Sequence, residues 1–97
     1  MNKIDFDLEH LEKAAARLKA MAHPVRIAII EMLDENGPLC VSEVFCKLDI
    51  EQASASHHLN ILKNRNILKS ERTGKHIIYS LNNEIIGEMV QCLNRCH

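Results

Sequence analysis

Two short apolar-periodic stretches, "CVSEVFCKL" and "QASASHHLNILKNR", are joined by only the tight connection "LDIE". Two helices linked by three to four residues form a helix-turn-helix, here at about residues 41–65, with the second helix standing across the first. The first helix turns Val41, Val44, Phe45 and Leu48 inward, and the second turns Ala55, Leu59 and Leu62 inward. The second helix is left with a face of short polar groups: Ser54, Ser56, His57 and Asn60.

The apolar period changes directly afterwards. "NILKSERTGKHIIYSL" places Ile67 and Leu68 before a polar segment, and Ile77, Ile78, Tyr79 and Leu81 after it. β-Branched and aromatic residues around a Thr-Gly turn predict a β-hairpin, at about 67–81. A basic hairpin directly after a helix-turn-helix is a wing. Helical spacing in "IDFDLEHLEKAAARLKA" (Leu8, Leu11, Ala15, Leu18) predicts a helix over about 4–20. "HPVRIAIIEMLDENG" predicts a second helix, with Pro24 in its first turn, Gly37 past its end, and Val25, Ile27, Ile29, Ile30 and Leu33 supplying core. "NNEIIGEMVQCLNRCH" predicts a last helix at about 83–96, opened by an Asn cap and striped by Ile86, Met89, Val90 and Leu93. The expected fold is mainly α with a small β-hairpin: a winged helix-turn-helix in the order α-α-α-α-β-β-α, in one domain spanning residues 1–97. The stripes of the first and last helices are too large for so small a chain to hide, and Gly87 permits a close crossing. Both points predict a homodimer built on these two helices.

The 97 residues carry only 3% aromatics and no Trp, so the core is aliphatic. No apolar run approaches the roughly 20 residues of a membrane span, and the acidic start "MNKIDFDLEH" lacks the order of a signal peptide. A soluble, cytoplasmic protein with no membrane partner is expected. The formal net charge of -1 argues against a nucleic-acid partner, but the distribution argues for one. Between His57 and Tyr79, Lys63, Arg65, Lys69, Arg72 and Lys75 face the single acid Glu71. Between Glu31 and Glu51 the balance reverses, with acids opposed by Lys47 alone. A basic patch on one face outweighs the total.

In a helix-turn-helix the second helix enters the major groove, and short polar side chains at its start let it come close to base edges. Gln52, Ser54, Ser56 and His57 hold those positions. Lys63 and Arg65 follow near the helix end, and Arg72, Lys75 and His76 flank Gly74 in the wing, within reach of phosphate or minor groove. The partner expected is double-stranded operator DNA. His57 and His58 point about 100° apart on a helix, so they do not chelate one ion, and His58, beside Leu59 and Leu62, is expected to be packed. No Gly-rich phosphate loop or paired carboxylate site suggests an enzyme. The rival reading is a winged helix used only for protein interaction.

"LKAMAHPVRIAIIEML", "LCVSEV", "QASASHHLNILKNRNIL" and "RTGKHIIYSL" together resemble the ArsR/SmtB family of small winged-helix repressors, over about residues 14–81. The resemblance implies a homodimer on a pseudo-palindromic operator, released by a ligand, with Gln52, Ser54, Ser56 and His57 facing the major groove. It also implies two common ligand sites. Of the Cys-Val-Cys run opening the third helix, Cys40 is kept and Ser42 replaces the second thiol. The site opening the last helix has Asn83 and Ile85, neither of which binds zinc. The remaining sensing residues are Cys92 and Cys96, four apart on one helical face, with His97 and with Cys40. They could take Zn(II), As(III) or another thiophilic ion with help from His10 of a partner copy, act as a redox switch, or serve as small buried hydrophobes. Cys40 and Cys46 are expected to be core thiols, since no CxxC is present and a reducing compartment disfavours disulfides.

Overall fold

A computed structural model describes residues 7–96. The expected residues 4–6 of the first helix, and His97 among the sensing residues, lie outside them. Five helices and three strands follow in the order α1 (Leu8–Met21), α2 (Pro24–Asn36), β1 (Leu39–Cys40), α3 (Val41–Leu48), α4 (Gln52–Asn64), β2 (Leu68–Thr73), β3 (His76–Leu81) and α5 (Glu84–Arg95).

Local chemistry sets each boundary. Asp7 caps α1 by accepting from the His10 amide, and Asn83 caps α5 by accepting from the Ile85 amide. Pro24 opens α2, and Gly37 closes it at φ 77°. The turn between α3 and α4 puts Asp49 at φ 54°, a left-handed conformation that a short polar side chain tolerates. The Ile50 amide then donates back to Phe45 O at 3.1 Å. The end of α4 repeats the device: Asn66 lies at φ 61°, and the Ile67 amide reaches Leu62 O at 3.0 Å. Ile67 thereby drops straight into the core.

The wing is the antiparallel pair β2–β3, in register from Leu68 opposite Leu81 to Thr73 opposite His76. Its turn is Gly74-Lys75, one residue later than the Thr-Gly expected. Gly74 alone of the two has positive φ, at 64°, the pattern of a type II′ hairpin turn. The sheet also holds a third strand absent from the expected order. β1 pairs with β3, Leu39 opposite Tyr79 and Cys40 opposite Ile78. Two residues show no alternation, so nothing in their pattern announces a strand.

The core is aliphatic as expected. Ile29 and Ile30 of α2, Val44 of α3, and Ala55, Leu59 and Leu62 of α4 all reach 0% exposure. Ile67, Leu68, Tyr79 and Val90 close it from the sheet and α5. The expected stripes of α1 and α5 do not all join this core. Leu8 (69%), Leu11 (46%), Leu18 (55%), Ile85 (58%), Met89 (39%) and Leu93 (60%) are exposed, while Val90 of the same α5 stripe is buried.

Gly87 makes a close crossing, but within the chain: α5 lies on α2, where a Cβ at Gly87 would collide with the Asp34 carboxylate. Asp34 accepts from Gln91 Nε2 at 2.6 Å, and Glu31 accepts from Asn94 Nδ2 at 2.9 Å, so polar clamps pin the same two helices. Gly87→Ala must push Asp34 off Gln91 and should cost about 1–3 kcal/mol in chemical denaturation. The penalty should shrink in an Asp34→Ala background. An equal cost in both backgrounds would show that the crossing does not set it.

Candidate nucleic-acid interface

Complete burial of Ala55, Leu59 and Leu62 turns the other side of α4 to solvent. Gln52 and His57 are exposed there, and Ser54 and Ser56 half-exposed, in the first two turns. Glu51 precedes α4 without capping it by its side chain, so the amides of the first turn stay open to an outside acceptor. Lys63 stands in the last turn and Arg65 ends the helix, both exposed.

The wing meets this helix through α3. Ser56 of α4 lines a pocket of about 280 Å³ with Lys75, His76, Ile77 and Tyr79 of the wing and with Cys40, Val41 and Ser42. The α4 helix, the wing and the α3 start therefore share one concavity, which joins Ser56, Lys75, His76 and Cys40 from the expected set. Arg72, exposed opposite Ile77 in the hairpin, directs Nε toward Gly74 O at 3.4 Å. Arg65 is drawn elsewhere: it lines a polar cleft with Glu9, Glu12, Lys13 and Arg17 of α1.

Cys40 is buried at the start of α3, its Sγ 3.1 Å from Ser42 Oγ. Its amide donates to Glu43 Oε1 at 3.1 Å. That amide first, then the Cys40 thiol, Lys47 and the wing's His76, hold the Glu43 carboxyl below its ordinary value. The other three cysteines are free and exposed. This corrects the expectation that Cys46 is a core thiol: on so short a helix it falls on the face opposite Val44. Cys92 and Cys96 are likewise not buried within the chain. Asn83 Oδ1 is taken up as the α5 cap, and among the described residues no three His, Cys, Asp or Glu side chains gather as a metal site.

His58 is packed, as its apolar neighbours suggest, at 8% exposure. Its Nδ1 accepts from Arg26 Nε at 3.2 Å, and its ring lies 4.5 Å from that of His23. His23 in turn caps α2, its Nδ1 accepting from the Val25 amide at 3.1 Å. Burial first, then His23, Arg26 and His57, push the His58 pKa below its ordinary value. Sequence reasoning found neither partner of His58. The signal for one was a histidine directly before Pro24, where a helix cap belongs.

A family model for bacterial regulatory proteins of the arsR family matches residues 23–70, from the α2 cap to the middle of β2. An uncharacterized HTH-type transcriptional regulator of Methanocaldococcus jannaschii is 36% identical over 90% of this chain and 98% of its own length. The transcriptional repressor PagR of Bacillus anthracis is 34% identical over 94% of this chain and 93% of its own. Its crystal structure superposes with a TM-score of 0.82, covering 91% of this chain and all of that one. A cadmium resistance transcriptional regulatory protein CadC homolog of Staphylococcus aureus is 35% identical over 92% of this chain and 74% of its own. Among the described residues, no helix is long and apolar enough to cross a membrane. The α3–α4 pair, the wing clasped to it and this kinship together identify the chain as a winged helix-turn-helix DNA-binding regulator, not an enzyme, that belongs to the ArsR family.

Proposed function

We propose that the chain is a cytoplasmic, homodimeric repressor that binds a two-fold operator in double-stranded DNA and leaves it on a thiol-directed signal. The observation that carries DNA reading is the exposed polar start of α4, set against a basic wing in one concavity. Gln52, Ser54, Ser56 and His57 read base edges. Lys63, Arg72, Lys75 and His76 hold phosphate, and Arg65, which lines a separate cleft with α1, contributes least. The exposed leucines of α1 and the exposed Ile85, Met89 and Leu93 of α5 support the dimer, since large apolar side chains left in water on two helices, with Leu18 and Met89 lining one groove, suit an interface. A two-fold dimer spaces its reading helices by one DNA turn, about 34–36 Å.

Cys92 and Cys96 support the signal: two exposed thiols four positions apart, Cys92 on the helix that carries the dimer stripe and Cys96 at its C-cap, just past the end of the helix expected to hold both. One chain does not assemble a three-ligand metal group among its described residues. Zn(II) or As(III) would therefore need donors from a second copy, such as its His10, or the terminal His97, whereas an oxidant or reactive sulfur species needs only the thiols. The name of the cadmium-resistance relative keeps thiophilic ions within the test. Cys40, buried at the α3 start, is the thiol closest to the DNA-facing concavity. A signal at α5 acts only if it binds one dimer geometry better than the other.

Fluorescence anisotropy against random duplexes, and against duplexes enriched from them, tests DNA reading. Lys75→Ala should weaken binding to all sequences alike and reduce the salt slope by about 1, whereas Gln52→Ala should relax preference by about 1–3 kcal/mol. Absent or salt-insensitive binding would favour a protein-interaction module. Leu93→Glu should shift sedimentation from dimer to monomer and lower operator affinity; an unchanged dimer would move the interface elsewhere. In native protein Cys46 should alkylate fast and Cys40 slowly. Cys92→Ser with Cys96→Ser should abolish any response of DNA binding to oxidant or As(III). A response retained in that double variant would place sensing at Cys40 or Cys46, and adding Cys46→Ser would separate the two.

A further inference from the structure

Arg26 has two jobs at the junction of three helices. Its Nη1 donates to Ala20 O at 2.7 Å, in the last turn of α1, and its Nε donates to His58 Nδ1 at 3.2 Å, in the middle of α4. One guanidinium thus ties the apolar-striped helix to the reading helix from the first turn of α2. Its acceptor on α4 is an imidazole rather than a carbonyl or carboxylate. An imidazole accepts at Nδ1 only while it is neutral, with its proton on Nε2. A second imidazole, His23, is 4.5 Å from the first and also spends its Nδ1 lone pair, on the α2 cap.

We infer that Arg26 and His58 are positioning residues for the reading helix, and that protonation of His58 releases this hold and weakens DNA binding in mild acid. The inference rests on the DNA-reading function proposed above. A proton at His58 Nδ1 would meet the Arg26 N–H head on, donor against donor and cation against cation. The bond breaks and the buried side chain must move, next to Ser56 and His57 on the same helix. The charged and titratable groups facing His58 are His23 and Arg26 from the α2 start and His57 from its own helix. None of them is an acid that would welcome the added charge.

The sign follows from the geometry. The folded chain favours neutral His58, so the unfolded chain binds more protons below the ordinary histidine pKa of about 6.5. The stability held by this junction is complete above that value and is lost as pH falls from it toward the lower folded-state pKa. Charge elsewhere on the protein also sets its affinity for DNA. The junction is therefore read as a difference between variants rather than as a raw pH profile.

The test compares wild type with His58→Asn, whose Oδ1 can stand near the place of Nδ1 and does not titrate. Affinity for one enriched duplex is measured by anisotropy from pH 8 to 5.5, and the His58 ring protons are titrated by NMR in wild type without DNA. Expected are a His58 midpoint below 6.5 and a wild-type affinity that falls at least threefold more than the variant's across the range, a tenfold change matching one pKa unit. Should His58→Asn not fold, Arg26→Gln replaces it, keeping a neutral donor; its His58 midpoint should rise toward 6.5. Equal pH profiles in wild type and variant, or a wild-type His58 midpoint at or above 6.5, would overturn the inference while leaving DNA reading intact. No binding to any duplex at pH 8 would overturn both.

Discussion

The whole arrangement hangs on one buried contact, the apolar face of α4 against α2. Ala55, Leu59 and Leu62 are fully shielded, as are Ile29 and Ile30 across from them. Close packing of this kind admits few rotations of a helix about its axis, since any turn exposes leucine or buries polar atoms. With the inner face settled, Gln52, Ser54, Ser56 and His57 have only the outside left to them. The surface proposed to face DNA is the remainder of a packing problem, and its aim is as precise as the core is tight. Around this contact, left-handed Asp49 and Asn66 fold the chain into and out of α4 with no slack.

How much of this was written plainly in the residues differs from element to element. The α3–α4 pair, the hairpin and the Asn83 cap follow from periodicity and side-chain chemistry that act over a few positions, and such local rules are legible. β1 was not, because a two-residue strand exists only where β3 arrives to pair with it. Cys46 was misplaced for a related reason: an eight-residue helix makes barely two turns, so its faces are decided by its neighbours. Leu8, Leu11 and Leu18 were correctly seen as a stripe, yet a stripe does not say whose surface covers it. The site residues were listed from the order of the motif. That Arg65 lines a cleft with α1 and Ser56 one with the wing is three-dimensional information, carried by no spacing.

The bond from Arg26 to His58 belongs to the same class. The two positions are 32 apart, and nothing between them predicts the pairing. It shows how a small chain with an aliphatic core still places one polar junction inside. The half-buried guanidinium donates to a carbonyl on one side and an imidazole on the other, which offsets its cost of burial. Such a junction specifies a unique meeting of three helix segments more sharply than another leucine would, because it tolerates no sliding.

The short strand β1 has a consequence for how a chain of this kind can change over generations. It runs directly into α3, with Cys40 ending the strand and Val41 beginning the helix. No residue can be added there without turning α3 about its axis, so the clasp between wing and helix pair is intolerant of insertion. At the other end of the hairpin, Gly74 and Lys75 are exposed, and a Cβ at Gly74 would meet nothing. Residues added there in pairs, one to each strand, would preserve the register and lengthen the wing by roughly 3.3 Å per residue. The molecule is thus built with one adjustable limb on a frame of fixed length, and variation in reach has a single place to accumulate.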